Sequence, residues 1–107
     1  MSKTLELIQA LASRGKLKVS LHGYEELAND EIRVRDAVSG LSTAAVVEDY
    51  PTYSKGPCVL VLQRDGVGQP IHIVWGIPAG QESPGVLVTG YRPALDKWDK
   101  SWRRRLK

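Results

Sequence analysis

Two histidines, a tyrosine and an arginine give this sequence the residue types that metal-free RNA cleavage requires. That reaction takes a base for the 2′-hydroxyl, an acid for the leaving 5′-oxygen and a cation for the pentavalent phosphate. His22 and His72 are the only two histidines. Tyr91 and Arg92 adjoin one another in Thr89-Gly90-Tyr91-Arg92-Pro93. The planar guanidinium of Arg92 matches phosphate or carboxylate oxygens, and Tyr91 adds a hydroxyl and a stacking ring. Each residue also has a plainer reading. Either histidine could be satisfied by a local hydrogen bond, and Arg92 could pair with a carboxylate, Glu48 or Asp49 being within reach of the sheet rim.

The elements that carry these groups read as helices first and strands afterwards. Ser2 can cap a first helix bearing Leu5, Ile8 and Leu11/Ala12, which Gly15 stops. Ser20 can cap a second, with Leu21, Tyr24, Leu27 and Ala28 as its buried stripe and Asn29 as its stop. His22 then lies in the first turn, where the positive end of the helix disfavours an imidazolium. Val34, Ala37, Val38 and Leu41 follow helical spacing over residues 33–41. Four strands follow: 44–50, 58–64, 71–77 and 86–91. Asp65-Gly66-Val67-Gly68 makes a tight hairpin connection between the second and third. In the third strand Ile71, Ile73, Trp75 and Ile77 alternate with His72, Val74 and Gly76. The Ile/Trp face should meet the helices and His72 the opposite side. The expected fold is α+β, with two to three helices on a four-stranded antiparallel sheet and a short basic C-terminal helix or tail.

The chain of 107 residues fits one domain, with a core over about 17–98 and a tail over 99–107. The basic character is concentrated at the end. From Lys97 onward six basic residues stand against Asp99 alone, whereas the first 96 residues carry nine basic and eleven acidic side chains. Trp98 and Trp102 interleave with Arg103, Arg104 and Arg105, a pattern that can meet phosphates while indoles stack on bases. The plainer alternative is a tail docked through its tryptophans. A single cysteine, Cys58, excludes an internal disulfide and a multi-cysteine metal site, and reads as a small core residue. With no carboxylate-rich or His/Cys cluster, a metal nuclease is not expected, and no cofactor is called for. Nucleotide-binding loops and the Gly-x-Ser-x-Gly elbow are missing. No bilayer-length apolar run or signal-peptide pattern is present, so a cytoplasmic location is expected.

Ser20-Leu21-His22-Gly23-Tyr24-Glu25-Glu26, Val47-Glu48-Asp49-Tyr50-Pro51, Gln69-Pro70-Ile71-His72-Ile73-Val74 and Thr89-Gly90-Tyr91-Arg92-Pro93 occur in that order. Together they resemble a bacterial family catalogued as domain of unknown function 4258, over residues of about 17 to 98. The resemblance implies a fold similar to RelE-like toxins, metal-independent cleavage of messenger RNA, and a cognate antitoxin protein as partner. The family commonly has an arginine four residues after the first histidine. Glu26 stands there in this chain, leaving Arg33, Arg35 or the tail to substitute. Two functions follow as expectations. The first is a toxin-like endoribonuclease in which His22, His72 and Arg92 open onto one hollow, with Tyr91 positioning a base. The second is a non-catalytic protein- or RNA-binding domain of the same fold.

Overall fold

A computed structural model describes residues 2–106; Lys107, the last basic residue of the tail, lies outside them. Helix α1 spans Lys3–Ser13, with the Ser2 hydroxyl accepting from the Leu5 amide. Strand β1 (Leu17–Val19) and helix α2 (Leu21–Asn29) follow, the latter capped by Ser20 through the Gly23 amide. Helix α3 covers Val34–Ser39 and tightens into a 3-10 turn over Gly40–Thr43. The remaining strands are β2 (Ala45–Tyr50), β3 (Cys58–Arg64), β4 (Pro70–Gly76) and β5 (Gly85–Tyr91).

The sheet has five strands in the order β1-β5-β4-β3-β2. It is mixed rather than wholly antiparallel, because β1 pairs parallel with β5 through Leu17–Gly85, Lys18–Val86 and Val19–Leu87. Three residues between two helices carry too little periodicity to read as a strand, and only the distant edge of β5 supplies their partners. Of the two alternatives for the C-terminus, helix or tail, the described residues there form no helix. Trp98 and Arg105 make an antiparallel bridge, and the Leu106 amide donates to Lys97 O, folding the segment into a small hairpin.

One face of the sheet holds the core. Val59, Val61, Ile71, Ile73, Trp75 and Leu87 pack against Leu5, Ile8, Leu11, Leu27, Ala37 and Leu41. Within this layer Trp75 Nε1 donates to Gln63 Oε1 at 2.9 Å, and Gln63 Nε2 donates to Ala37 O at 2.8 Å. The α2 stripe departs from expectation. Leu21 and Tyr24 are exposed and Leu27 is buried. Gly23 sets that orientation, since a Cβ there would lie 2.7 Å from Leu87 O. The helix therefore presents its glycine, not Tyr24, to β5. Gly90 plays the matching part on the strand, where a Cβ would fall 2.7 Å from Leu27 Cδ2.

Candidate functional site

The opposite face of the sheet carries the polar chemistry, and two bulges decide what it displays. In β2, Val46 opposes Val61 and packs against the core, so simple alternation would send Glu48 inward as well. The register instead shifts between Val46 and Glu48, and Glu48 opposes Leu60. The extra residue, Val47, turns Glu48 and Tyr50 onto the open face. The bulge also leaves Val46 O free to accept from Arg103, at 3.2 Å from Nε and 3.0 Å from the terminal nitrogen. A second shift in β5, between the partners of Val74 and Trp75, places Tyr91 opposite His72.

His72 is fully buried, sealed from above by the C-terminal hairpin. Its Nε2 lies 2.6 Å from Trp102 O, its Nδ1 lies 3.2 Å from the Tyr91 hydroxyl, and the Trp98 ring meets it edge-on at 4.4 Å. A carbonyl can only accept, so Nε2 carries the proton and a neutral ring accepts at Nδ1 from Tyr91. Trp102 delivers its carbonyl from a left-handed backbone, φ 63°, a conformation that a bulky residue adopts only under tertiary constraint. Beside this group Arg105 grips Glu48 with both ends of its fork, at 3.1 and 2.9 Å, and lies over the Trp98 ring at 4.7 Å. Tyr50 donates its hydroxyl to the same carboxylate. Glu48, Tyr50, His72, Tyr91 and Arg105 thus form one cluster.

The electrostatics follow from this packing. Arg105 and the Tyr50 hydroxyl hold the Glu48 carboxyl below its ordinary range. Burial pushes the His72 imidazole below its ordinary 6.5 and Arg105 adds to that, against the pull of the Trp102 carbonyl and Glu48. The sign is definite. An unfolded chain takes up a proton near pH 6.5, whereas the folded chain resists until lower pH. The stability contributed by the neutral ring is therefore complete above 6.5 and lost as pH falls through the folded value. The melting temperature should fall between pH 7.5 and pH 5, and His72→Asn should flatten that slope. An unchanged slope in the variant would assign the acid sensitivity to other groups.

The other expected site residues lie elsewhere. His22 is exposed on α2, across the sheet from His72. Arg92 does not face the cluster. Its amide donates to Asp30 Oδ2 at 2.7 Å, its Nε to Asp30 O at 3.0 Å, and one terminal nitrogen to Asp65 Oδ2 at 2.9 Å. It ties the end of α2 to the β3–β4 hairpin, so the plainer reading of Arg92 as half of an ion pair holds, with Asp65 as partner. Arg33 and Arg35 are exposed and share a depression with Arg92, Asp36 and Asp65. A common hollow for His22, His72 and Arg92 is therefore not formed: one group is sealed, one faces the opposite side, and one is bound to a loop. In the tail Trp98 is buried, Trp102 half-buried, and Arg103, Arg104 and Arg105 exposed. Cys58 is half-buried on the open face rather than in the core, and burial raises its thiol pKa. Among the described residues no group of three or more His, Cys, Asp or Glu is placed to hold a metal ion, and no helix is long and apolar enough to cross a membrane.

Residues 19–92 match the model of the family described as Domain of unknown function (DUF4258). The chain belongs to that family. The DUF4258 match begins at Val19, the last residue of β1, and stops at Arg92, so it includes Glu48, Tyr50, His72 and Tyr91 and excludes Arg105 and the rest of the hairpin. No curated protein and no solved structure matches the chain. The part that seals His72 thus lies outside the matched residues.

Proposed function

We propose that this chain is a metal-independent endoribonuclease of the toxin type, similar to RelE-like toxins, with its acid–base pair reassigned to Glu48 and His72. What supports the reading is one observation: a carboxylate, an imidazole, two phenols and a guanidinium gather on the open sheet face. Glu48 and His72 sit on strands separated by β3 and two residues apart in register, about 12 Å between backbone positions, and both side chains reach toward each other over the open face. Glu48 takes the 2′-hydroxyl proton, and the O2′–P bond forms as the P–O5′ bond breaks. His72 delivers its proton to O5′, leaving a 2′,3′-cyclic phosphate and a 5′-hydroxyl. Arg105 neutralises the phosphoryl oxygens. The resemblance adds a protein antitoxin as partner.

For this chemistry the Trp102 carbonyl must lift from His72 while Arg105 keeps its grip on Glu48. Uncovering the ring removes the burial that keeps it neutral and restores its capacity to act as an acid. The test incubates the full chain with single-stranded RNA in chelator and reads 5′-hydroxyl ends. Glu48→Gln and His72→Asn should each lose about 100-fold or more in rate. Cleavage that depends on His22 but survives Glu48→Gln overturns the reassigned site. A second reading, a non-catalytic binding domain, is favoured by His72 having both ring nitrogens occupied and no exposure. RNA that is bound and never cut by the full chain decides for it.

A further inference from the structure

The open sheet face continues past the cluster into a groove of about 370 Å³. Val74, Val86 and Val88 form its floor with Cys58 and Gly76, and Tyr53 and Pro78 stand at its edge. Gly76 keeps the floor low, because a Cβ there would already touch Cys58 Cβ at 3.3 Å and Val88 at 3.5 Å. The β5 bulge that aligns Tyr91 with His72 inserts Val88 as the extra residue. The Tyr53 side of the groove is built in place, since the Ala79 amide donates to Lys55 O and the Gly56 amide to Tyr53 O. Tyr53 is 53% exposed. Lys55 is the charged residue among those lining the groove, and Asp49 lies beyond its edge, near enough for its charge to act on the Cys58 thiol.

We infer that this groove is a nucleobase subsite, in which one base of an RNA strand lies on the three valines and stacks on Tyr53 while Lys55 meets the adjacent phosphate. The inference rests on the RNA reading above. Its occupant is argued from three features. An apolar floor with an aromatic wall accepts any base face, and a lone cation beside it suits a strand that alternates base and phosphate. The third is continuity: β4 runs from His72 through Val74 to Gly76 on this one face, so the groove begins about 7 Å from the imidazole position along the strand. Tyr53 is also only three residues beyond Tyr50 of the cluster. The groove is open while His72 is covered, so binding there does not require the hairpin to move.

The probe is a short single-stranded RNA with 2′-O-methyl sugars, which lacks the attacking hydroxyl and cannot be cleaved. Its affinity is read by fluorescence anisotropy, and its position by methyl chemical shifts of Val74, Val86 and Val88. Tyr53→Ala should weaken binding by about tenfold, within the range of one lost base–aromatic stack, and Tyr53→Phe should restore it. Tyr53 lies on an exposed loop, and an unchanged melting temperature verifies that each variant is folded. Binding with the valine methyls unmoved, or with Tyr53→Ala unimpaired, overturns the subsite. Methyl shifts that follow protein concentration alone also overturn it, in favour of a second copy covering the groove. Tyr53-dependent binding without any cleavage of ordinary RNA leaves the subsite standing and removes only the enzymatic reading. No binding at all removes both.

Discussion

Trp75→Ala should lower the melting temperature by on the order of 20 °C, from a loss of about 3–5 kcal/mol in a domain of this size. Trp75 is wholly buried and is the largest of the fully buried side chains. Truncation removes the ring from between sheet and helices, where close-packed neighbours can relax only in part. It also strands Gln63 Oε1, which accepts only from the indole N–H, and an orphaned buried acceptor carries its own cost of about 1–3 kcal/mol. Trp75→Phe separates the two contributions by keeping an aromatic ring and deleting the donor. Thermal melts of both variants supply the test. A tryptophan-to-alanine change costing no more than the phenylalanine change would mean that the cavity collapses without penalty.

The second large effect is local. Trp98→Ala should release the C-terminal hairpin while the sheet and helices stay folded. Trp98 is 3% exposed, and it is the piece held between His72 below and Arg105 above. The hairpin has little else that is apolar and buried, so its opening free energy lies at the low end of the molecule. Amide protection at Asp99, Trp102 and Leu106, whose N–H groups bond within the hairpin, should fall by about tenfold or more. The melting temperature should move far less than with Trp75→Ala. His72 then becomes accessible, but Arg105 leaves Glu48 with the hairpin, so on the enzymatic reading RNA cleavage falls. A variant with full hairpin protection would show that the Arg103 and Arg105 contacts hold the segment alone.

Much of the architecture was legible because it rests on periodicity. Alternation in Ile71–Ile77 placed His72 on the side away from the helices, and Ser2 and Ser20 marked both helix starts where their hydroxyls now accept. What could not be read depends on partners far along the chain. The three residues of β1 are a strand only because β5 offers an edge. The inward face of α2 is set by Gly23 against Leu87 O, a contact 64 residues distant. The placement of the site residues is hard to read for a related reason. Tyr91 and Arg92 look like a pair, yet adjacent residues at a strand end point to opposite sides, which sends Tyr91 to His72 and Arg92 to Asp65. Glu48 was visible as part of Glu-Asp-Tyr-Pro, but its outward placement depends on the Val47 bulge. No alternation pattern could assign it to the open face.

The parallel pairing of β1 with β5 has a consequence for synthesis. The amides and carbonyls of residues 17–19 must wait, unpaired, for a segment that the ribosome makes nearly seventy residues later, and Leu27 waits for Gly90 in the same way. A nascent chain that stops short of β5 lacks the β4–β5 and β1–β5 ladders and the cover for α2, which leaves that half of the sheet open to proteolysis. Were the RNA reading correct, the cell would meet the activity only as a finished polypeptide, never as a growing one.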